Sequence, residues 1–193
     1  MLDVSNFFII DIETWPIDIV VYKKLDEEGK KKLINPIDSR IIAIGIRHAG
    51  KNTIIQNENE KQLLEDFWTE WMSIKKGRSL NIVGFNIKDF DLPFAVTRSF
   101  VHNVTISPFV VKYVIDLKEK VSAYRYGPTR GKLKEFGGYM GISDFGMDGS
   151  DVTELCISQN HEKIKEYLVN DLEITDKMYK RLRDTKILEI ERW

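Results

Sequence analysis

Sulfur and imidazole are nearly missing from this chain. A single cysteine, Cys156, stands among 193 residues. That excludes an internal disulfide and a thiolate zinc site, and leaves Cys156 to be read as a small buried apolar residue. The three histidines, His48, His102 and His161, are scattered without metal-ligand spacing. A metal site here must therefore be built from oxygen, which favours Mg²⁺ or Mn²⁺. Long apolar runs are also missing. Phe7-Phe8-Ile9-Ile10 is typical of what there is, far short of the ~18–20 residues of a membrane helix. The N-terminus lacks the basic start and small-residue cleavage site of a signal peptide, so a cytoplasmic location is the expectation. Neither sign of charge is in excess, and the net charge is −1. This argues against binding nucleic acid by bulk positive charge. The objection weakens if bound cations supply positive charge at a local site.

What is present suits a soluble globular chain: 42 % apolar and 31 % charged residues. The length fits one domain spanning residues 1–193. Asn6 to Trp15 reads as a strand, Ile17 to Lys23 as its continuation after Pro16, and Asp26-Glu27-Glu28-Gly29-Lys30 as a turn back, with Lys30-Lys31-Lys32 in a polar hairpin. Arg40 to His48, Lys51 to Gln56, Leu80 to Phe85 and Phe109 to Asp116 read as further strands. Asn59 to Ser73 is a helix with Leu63, Leu64, Phe67, Trp68 and Trp71 on one face. A second helix begins at Asp91-Leu92-Pro93, with aspartate suited to the cap and proline to the first turn, and runs to about Val101. Helices follow at Lys132 to Met140, Asp151 to Ser158 and His161 to Arg183. Antiparallel strands, then βαβ, then helices predict an α/β protein with a mixed central sheet flanked by helices on both faces.

Some carboxylates sit where carboxylates are costly. The strand period of two places Phe7, Ile9, Asp11, Glu13 and Trp15 on one face, and Phe8, Ile10 and Ile12 on the other. A strand apolar on both faces is central. Two acids in it carry a large desolvation cost unless something positive pairs with them. Their Cα atoms lie roughly 6.5 Å apart at ~3.3 Å per residue, a reach that suits two metals ~3.5–4 Å apart. Internal ion pairs to Lys or Arg are the alternative. In the last helix, Ile164, Leu168, Asp171, Thr175, Met178 and Leu182 form a buried stripe with Asp171 in its middle, and Tyr167 lies one turn earlier. The third acidic locus follows the apolar strand ending at Gly84, where a polar loop leads to Asp91. A plain helix cap is the alternative reading of Asp91.

Taken together, Asp11-Ile12-Glu13-Thr14, Gly84-Phe85-Asn86 with Phe90-Asp91-Leu92-Pro93-Phe94, and Tyr167-Leu168-Val169-Asn170-Asp171 resemble the three motifs of the DEDD superfamily of 3′–5′ exonucleases. The tyrosine in the third motif resembles the tyrosine branch, DEDDy. The likeness is to the proofreading domains of family B DNA polymerases and their stand-alone relatives. It covers roughly Phe7 to Leu182. It implies a ribonuclease H-like fold and a metal-binding set of Asp11, Glu13, Asp91 and Asp171 that holds two Mg²⁺ or Mn²⁺ ions. It further implies that Tyr167 contacts the attacking water, and that Thr14, Asn86 and Phe90 contact the substrate. Asp89 also precedes the helix, but the Phe-Asp-x-Pro pattern selects Asp91. Within these 193 residues no polymerase domain is expected.

The implied reaction is removal of nucleotides from single-stranded DNA with a free 3′ end, in repair or replication alongside a partner protein. Two rivals stay open: an exoribonuclease acting on RNA ends, and a non-catalytic nucleic-acid-binding module on the same fold. The basic stretch Lys112 to Lys134, interleaved with Tyr124 and Tyr126, reads equally as a groove tracking a single strand or as a solvated loop.

Overall fold

The computed structural model describes residues 6–123, 131–142 and 160–191. Five strands form one mixed sheet in the order β3-β2-β1-β4-β5. They are β1 (Phe7–Pro16), β2 (Ser39–His48), β3 (Lys51–Gln56), β4 (Asn81–Gly84) and β5 (Val114–Asp116). β1 pairs antiparallel with β2, and β2 with β3. On the other side β1–β4 and β4–β5 are parallel. β1 is therefore central, as its two apolar faces require.

One face carries α3 (Glu60–Lys75) and α4 (Asp91–Val101). Phe8, Ile10 and Ile12 of β1 join Leu63, Phe67, Trp68 and Trp71 there in the larger core. The opposite face carries α6 (Leu133–Tyr139) and the long α7 (His161–Asp184). Phe7 and Ile9 pack with Leu172, Met178 and Leu182 of α7, so the alternation expected of β1 is realised. The stripe of α7 from Ile164 to Leu182 is buried, Asp171 included.

The segment after β1 departs from expectation. Ile17 to Lys23 is not a strand. Instead α1 (Ile19–Tyr22) and α2 (Glu27–Lys32) are short helices of one to two turns. Their causes are local: Asp18 accepts from Val21 N–H at 2.9 Å, and Asp26 from Gly29 N–H at 2.8 Å, each capping a helix start. Lys30, Lys31 and Lys32 close α2 rather than turn a hairpin, and Lys30 and Lys32 pair with Glu27 and Glu28. The strand expected from Phe109 is also shorter. β4 has only four residues, so β5 pairs over Val114–Asp116, while Val111–Tyr113 forms a 3-10 turn. α5 (Leu117–Val121) follows directly. Cys156 and the helix expected at Asp151 to Ser158 lie outside the described residues. Among the described residues, no helix is long and apolar enough to cross a membrane.

Candidate active site

Asp11 and Asp171 meet because a side chain is missing. Asp11 lies opposite Gly45 on β2. A Cβ at Gly45 would stand 2.8 Å from both Leu168 Cγ and Leu172 Cδ1 of α7, closer than packed carbon atoms approach. Without it, α7 settles onto the sheet and lowers Asp171 toward β1. One carboxylate oxygen each from Asp11, Glu13 and Asp171 then lie within 4.8 Å of one another.

Asp91 reaches the same centre from the other side of the sheet. It is the first residue of α4, not its cap; Phe90 holds the cap position without a side-chain hydrogen bond. β4 pairs with β1 only as far as Ile9, so the backbone beyond has no strand partner on that side. The Asp91 carboxylate accepts from Ile12 N–H at 3.1 Å instead. Asp91 is buried and Asp89 exposed.

The electrostatics are those of charge packed against like charge. Burial, then Asp91, Asp171 and Glu13, push the Asp11 carboxyl well above its usual range, against the pull of Lys134. Burial and Asp171 raise Glu13 in the same way, with Lys134 again opposing. Burial and Asp116 bring Asp91 to about 7, even though it accepts backbone hydrogen bonds. Each shift disfavours the charged form, and a divalent cation is the group that reverses it. The donor set is all carboxylate, the hard-oxygen chemistry that suits Mg²⁺ or Mn²⁺.

Two residues join this centre that their sequence context hid. Lys134, on α6, stands 3.9 Å from Asp171 and places its Nζ 3.5 Å from the centroid of the Tyr167 ring. The contact is a cation–π interaction. In the sequence it is merely the last cation of the basic stretch. Asp116, at the end of β5, accepts from the N–H groups of Asn86, Lys88 and Lys118 at 2.9–3.1 Å. It fixes the loop that delivers Asn86, Phe90 and Asp91. A carboxylate closing an apolar strand was the available signal for it. Asn86 takes a left-handed backbone, φ 62°, and its Oδ1 accepts from Lys118 Nζ at 3.0 Å. Phe90 packs partly on the larger core, 5.4 Å from Phe94. Thr14 follows Glu13 just past a register shift in the β1–β2 pair.

Lys118 and Lys134 turn toward the site, whereas Lys120 bonds the carbonyl oxygens of Leu188 and Ile190. Tyr124, Arg125, Tyr126 and Arg130 lie outside the described residues.

Comparison with known proteins bears on the family and the fold. Residues 39–113 match a family described as a predicted 3′–5′ exonuclease related to the exonuclease domain of PolB. The uncharacterized protein MJ0365 of Methanocaldococcus jannaschii is 34 % identical over 171 residues, covering 81 % of this chain and 93 % of that protein. The family B DNA polymerase of the archaeon Pyrobaculum calidifontis superposes with a TM-score of 0.67 over 94 % of this chain at 16 % identity. This chain spans only 25 % of that polymerase, and the match identifies the ribonuclease H-like fold of its exonuclease domain. The chain belongs to the family of predicted 3′–5′ exonucleases related to the exonuclease domain of PolB.

Proposed function

We propose that this protein is a metal-dependent 3′–5′ exonuclease of the tyrosine branch, acting in the cytoplasm on single-stranded DNA with a free 3′ end, in repair or replication with a partner protein. The observation that carries the reading is the convergence of the Asp11, Glu13 and Asp171 carboxylates, with Asp91 beside them and the carboxyls of Asp11, Glu13 and Asp91 held above the usual range. Such repulsion disfavours the charged carboxylates, and a bound divalent cation relieves it.

Asp11, Glu13, Asp91 and Asp171 would hold two divalent ions. When bound, these would activate water and stabilise the charge that develops on the leaving oxygen. The remaining work belongs to the chain. Tyr167 carries one O–H donor and one acceptor oxygen, on the helix turn next to Asp171, where it can orient a water. Lys134 braces that ring from its face and offsets part of the acidic charge. Thr14, Asn86 and Phe90 lie where the substrate strand would pass.

The test is a single-stranded DNA carrying a 5′ label, incubated with Mg²⁺ or Mn²⁺. A ladder shortening stepwise from the 3′ end is expected, with none in chelator. Faster digestion of a matched RNA strand would move the substrate to RNA. Internal cutting of a closed circular strand would remove the exonuclease reading altogether.

A further inference from the structure

A groove lies at the end of the sheet away from the acids, where β4 and β5 begin. It encloses about 280 Å³, at the low end of ligand-binding cavities, which run from roughly 300 Å³ upward. Among the described residues it is lined by Leu80, Ile82, Phe109 and Val110, together with Lys75 and Arg78. Asp116 closes β5, and Asp91 follows β4, at the opposite ends of these strands. The four residues of β4 alone span roughly 13 Å at ~3.3 Å per residue.

The groove follows from how two segments leave the core. Lys76 and Gly77 take left-handed backbones, φ 41° and 76°, which end α3 and turn the chain toward β4. Leu80 and Ile82 are buried beneath. On the other wall, Val104, Ile106 and Phe109 pack on the larger core, and the Phe109 ring lies 5.6 Å from that of Trp71. Lys75 Nζ donates to the Pro108 carbonyl oxygen at 3.4 Å and joins the two walls. Beyond Phe109 the packing stops. Val110 and Val111 are 56 % and 62 % exposed, and Tyr113, which also lines the groove, is exposed beside them.

Charge at this end is one-sided in a chain that is otherwise balanced. Aspartate and glutamate make up 30 of 193 residues, yet neither Trp71 to Lys88 nor Leu92 to Ile115 contains one. Those two segments build both walls. Lys75 and Arg78 line the groove, and Lys76 and Lys112 neighbour lining residues along the chain. Among the described residues, none of these four cations pairs with a carboxylate. Lys75 and Arg78 instead reach carbonyl oxygens, of Pro108 and Ile74, each at a long 3.4 Å.

We propose that this groove docks a partner protein, through a short segment in which acidic residues flank one apolar side chain. The apolar side chain seats over Leu80 and Ile82, between Phe109 and Val110, where burial of an anchor supplies affinity. The flanking acids meet Lys75 and Arg78, which select the partner and steer its approach. A nucleic-acid strand matches the groove less well. The aliphatic groups of Leu80, Ile82 and Val110 offer a base no ring to stack on, and a strand held here lies at the wrong end of the sheet for the acids. The proposal is independent of the exonuclease reading.

The probe is a phage-displayed library of random dodecapeptides, panned on the full chain in chelator. Enriched peptides should carry acidic residues on both sides of an apolar one. A fluorescein-labelled consensus peptide should bind more weakly as salt rises. It should lose roughly tenfold or more in affinity with Arg78→Glu and with Val110→Asp. Both side chains are exposed, and melts check that each variant folds. Lys75→Gln carries the charge arm if Arg78→Glu does not fold. Library output without the acidic and apolar pattern, or a consensus peptide that binds the variants as tightly as wild type, overturns the proposal. So does a loss of single-stranded DNA affinity in Arg78→Glu, which gives the groove to nucleic acid. Self-association in sedimentation that either variant abolishes gives it to a second copy and overturns the proposal as well. Cleavage in Mn²⁺ is read separately and should be equal in wild type and variants. If none of them cuts DNA, the exonuclease reading fails while the peptide result stands.

Discussion

Two buried acidic centres lie at opposite faces of the same sheet. At one, Glu60 receives hydrogen bonds from Arg98 at 2.5 and 2.9 Å and from Ile41 N–H at 2.7 Å, and it meets His102 Nε2 at 2.8 Å. Burial pushes its carboxyl up, but the hydrogen bonds more than offset this and hold it below its ordinary value. At the other, Asp11, Glu13, Asp91 and Asp171 converge, and Asp11, Glu13 and Asp91 are pushed up. Burial alone is thus a poor marker of function. The discriminating feature is whether the protein itself supplies the compensating charge. Glu60 is complete and ties α3, α4 and β2 together. The acidic cluster is offset only in part, by Lys134.

The largest effect expected from breaking this contrast is a crossed one. Asp11→Asn or Asp171→Asn should abolish nuclease turnover while leaving the metal-free fold as stable as before or more so, because each removes repulsion. Glu60→Ala should do the reverse. It strands Arg98 in the core and should cost about 3–5 kcal/mol, while the folded fraction cleaves normally. Urea titrations beside cleavage rates measure both. An inert, fully folded Glu60→Ala protein would erase the distinction.

Tyr167→Phe comes next. Removing one orienting hydroxyl should lower kcat by at most ~10²–10⁴-fold, with Mn²⁺ affinity unchanged. Isothermal titration showing a lost metal site in this variant would make Tyr167 part of the ligand cage instead.

The pH dependence of the two centres should have opposite signs. The folded Asp91 carboxyl titrates near 7 against an ordinary 3.8. Between those values the native state holds a proton the unfolded chain has lost, so metal-free stability falls as pH rises through that window. Glu60 is held below 4.5 when folded, so its contribution is present above that value and disappears as pH falls through the folded pKa. Melts of the metal-free protein from about pH 2 to 8 should lose slope between 3.8 and about 7 in Asp91→Asn, and below 4.5 in Glu60→Gln. Mn²⁺ should restore neutral stability, by about 2.7 kcal/mol at a hundred times its Kd. Identical slopes for wild type and Asp91→Asn would contradict the assignment of the raised carboxyl.

The smallest effect sharpens the second motif. Asp89 is exposed, so Asp89→Asn should fall within about ±0.5 kcal/mol of wild type and cleave normally. An inactive Asp89→Asn beside an active Asp91→Asn would exchange their roles.

Where periodicity and burial coincide, the sequence was readable. β1, β2, β3, α3 and α7 appear within a residue or two of their expected ends, because each must bury a face. Asp11, Glu13 and Asp171 stood out for the same reason, as charges on apolar faces. Residues 17–32 were misread because nothing buries them. Ile17, Val20 and Val21 are exposed, and with packing silent the caps at Asp18 and Asp26 outvoted strand propensity. Lys134 was hidden by distance along the chain, since only the packing of α6 on α7 makes it a neighbour of Asp171. The bulge at Ile42 was not read from the sequence, because Arg40 to His48 carries an unbroken strand pattern.

Gly45 turns a packing detail into a gauge. The depth at which α7 rests is set by hydrogen in place of methyl, so the separation of the third carboxylate from the first two is adjustable in steps of one carbon. A Gly45→Ala chain carries the clash with Leu168 and Leu172, at a cost of about 1–3 kcal/mol. Trimming Leu172 in the same chain would let the helix sink again. The pair of changes thus forms a dial by which the spacing of the acids could be tuned without touching any of them.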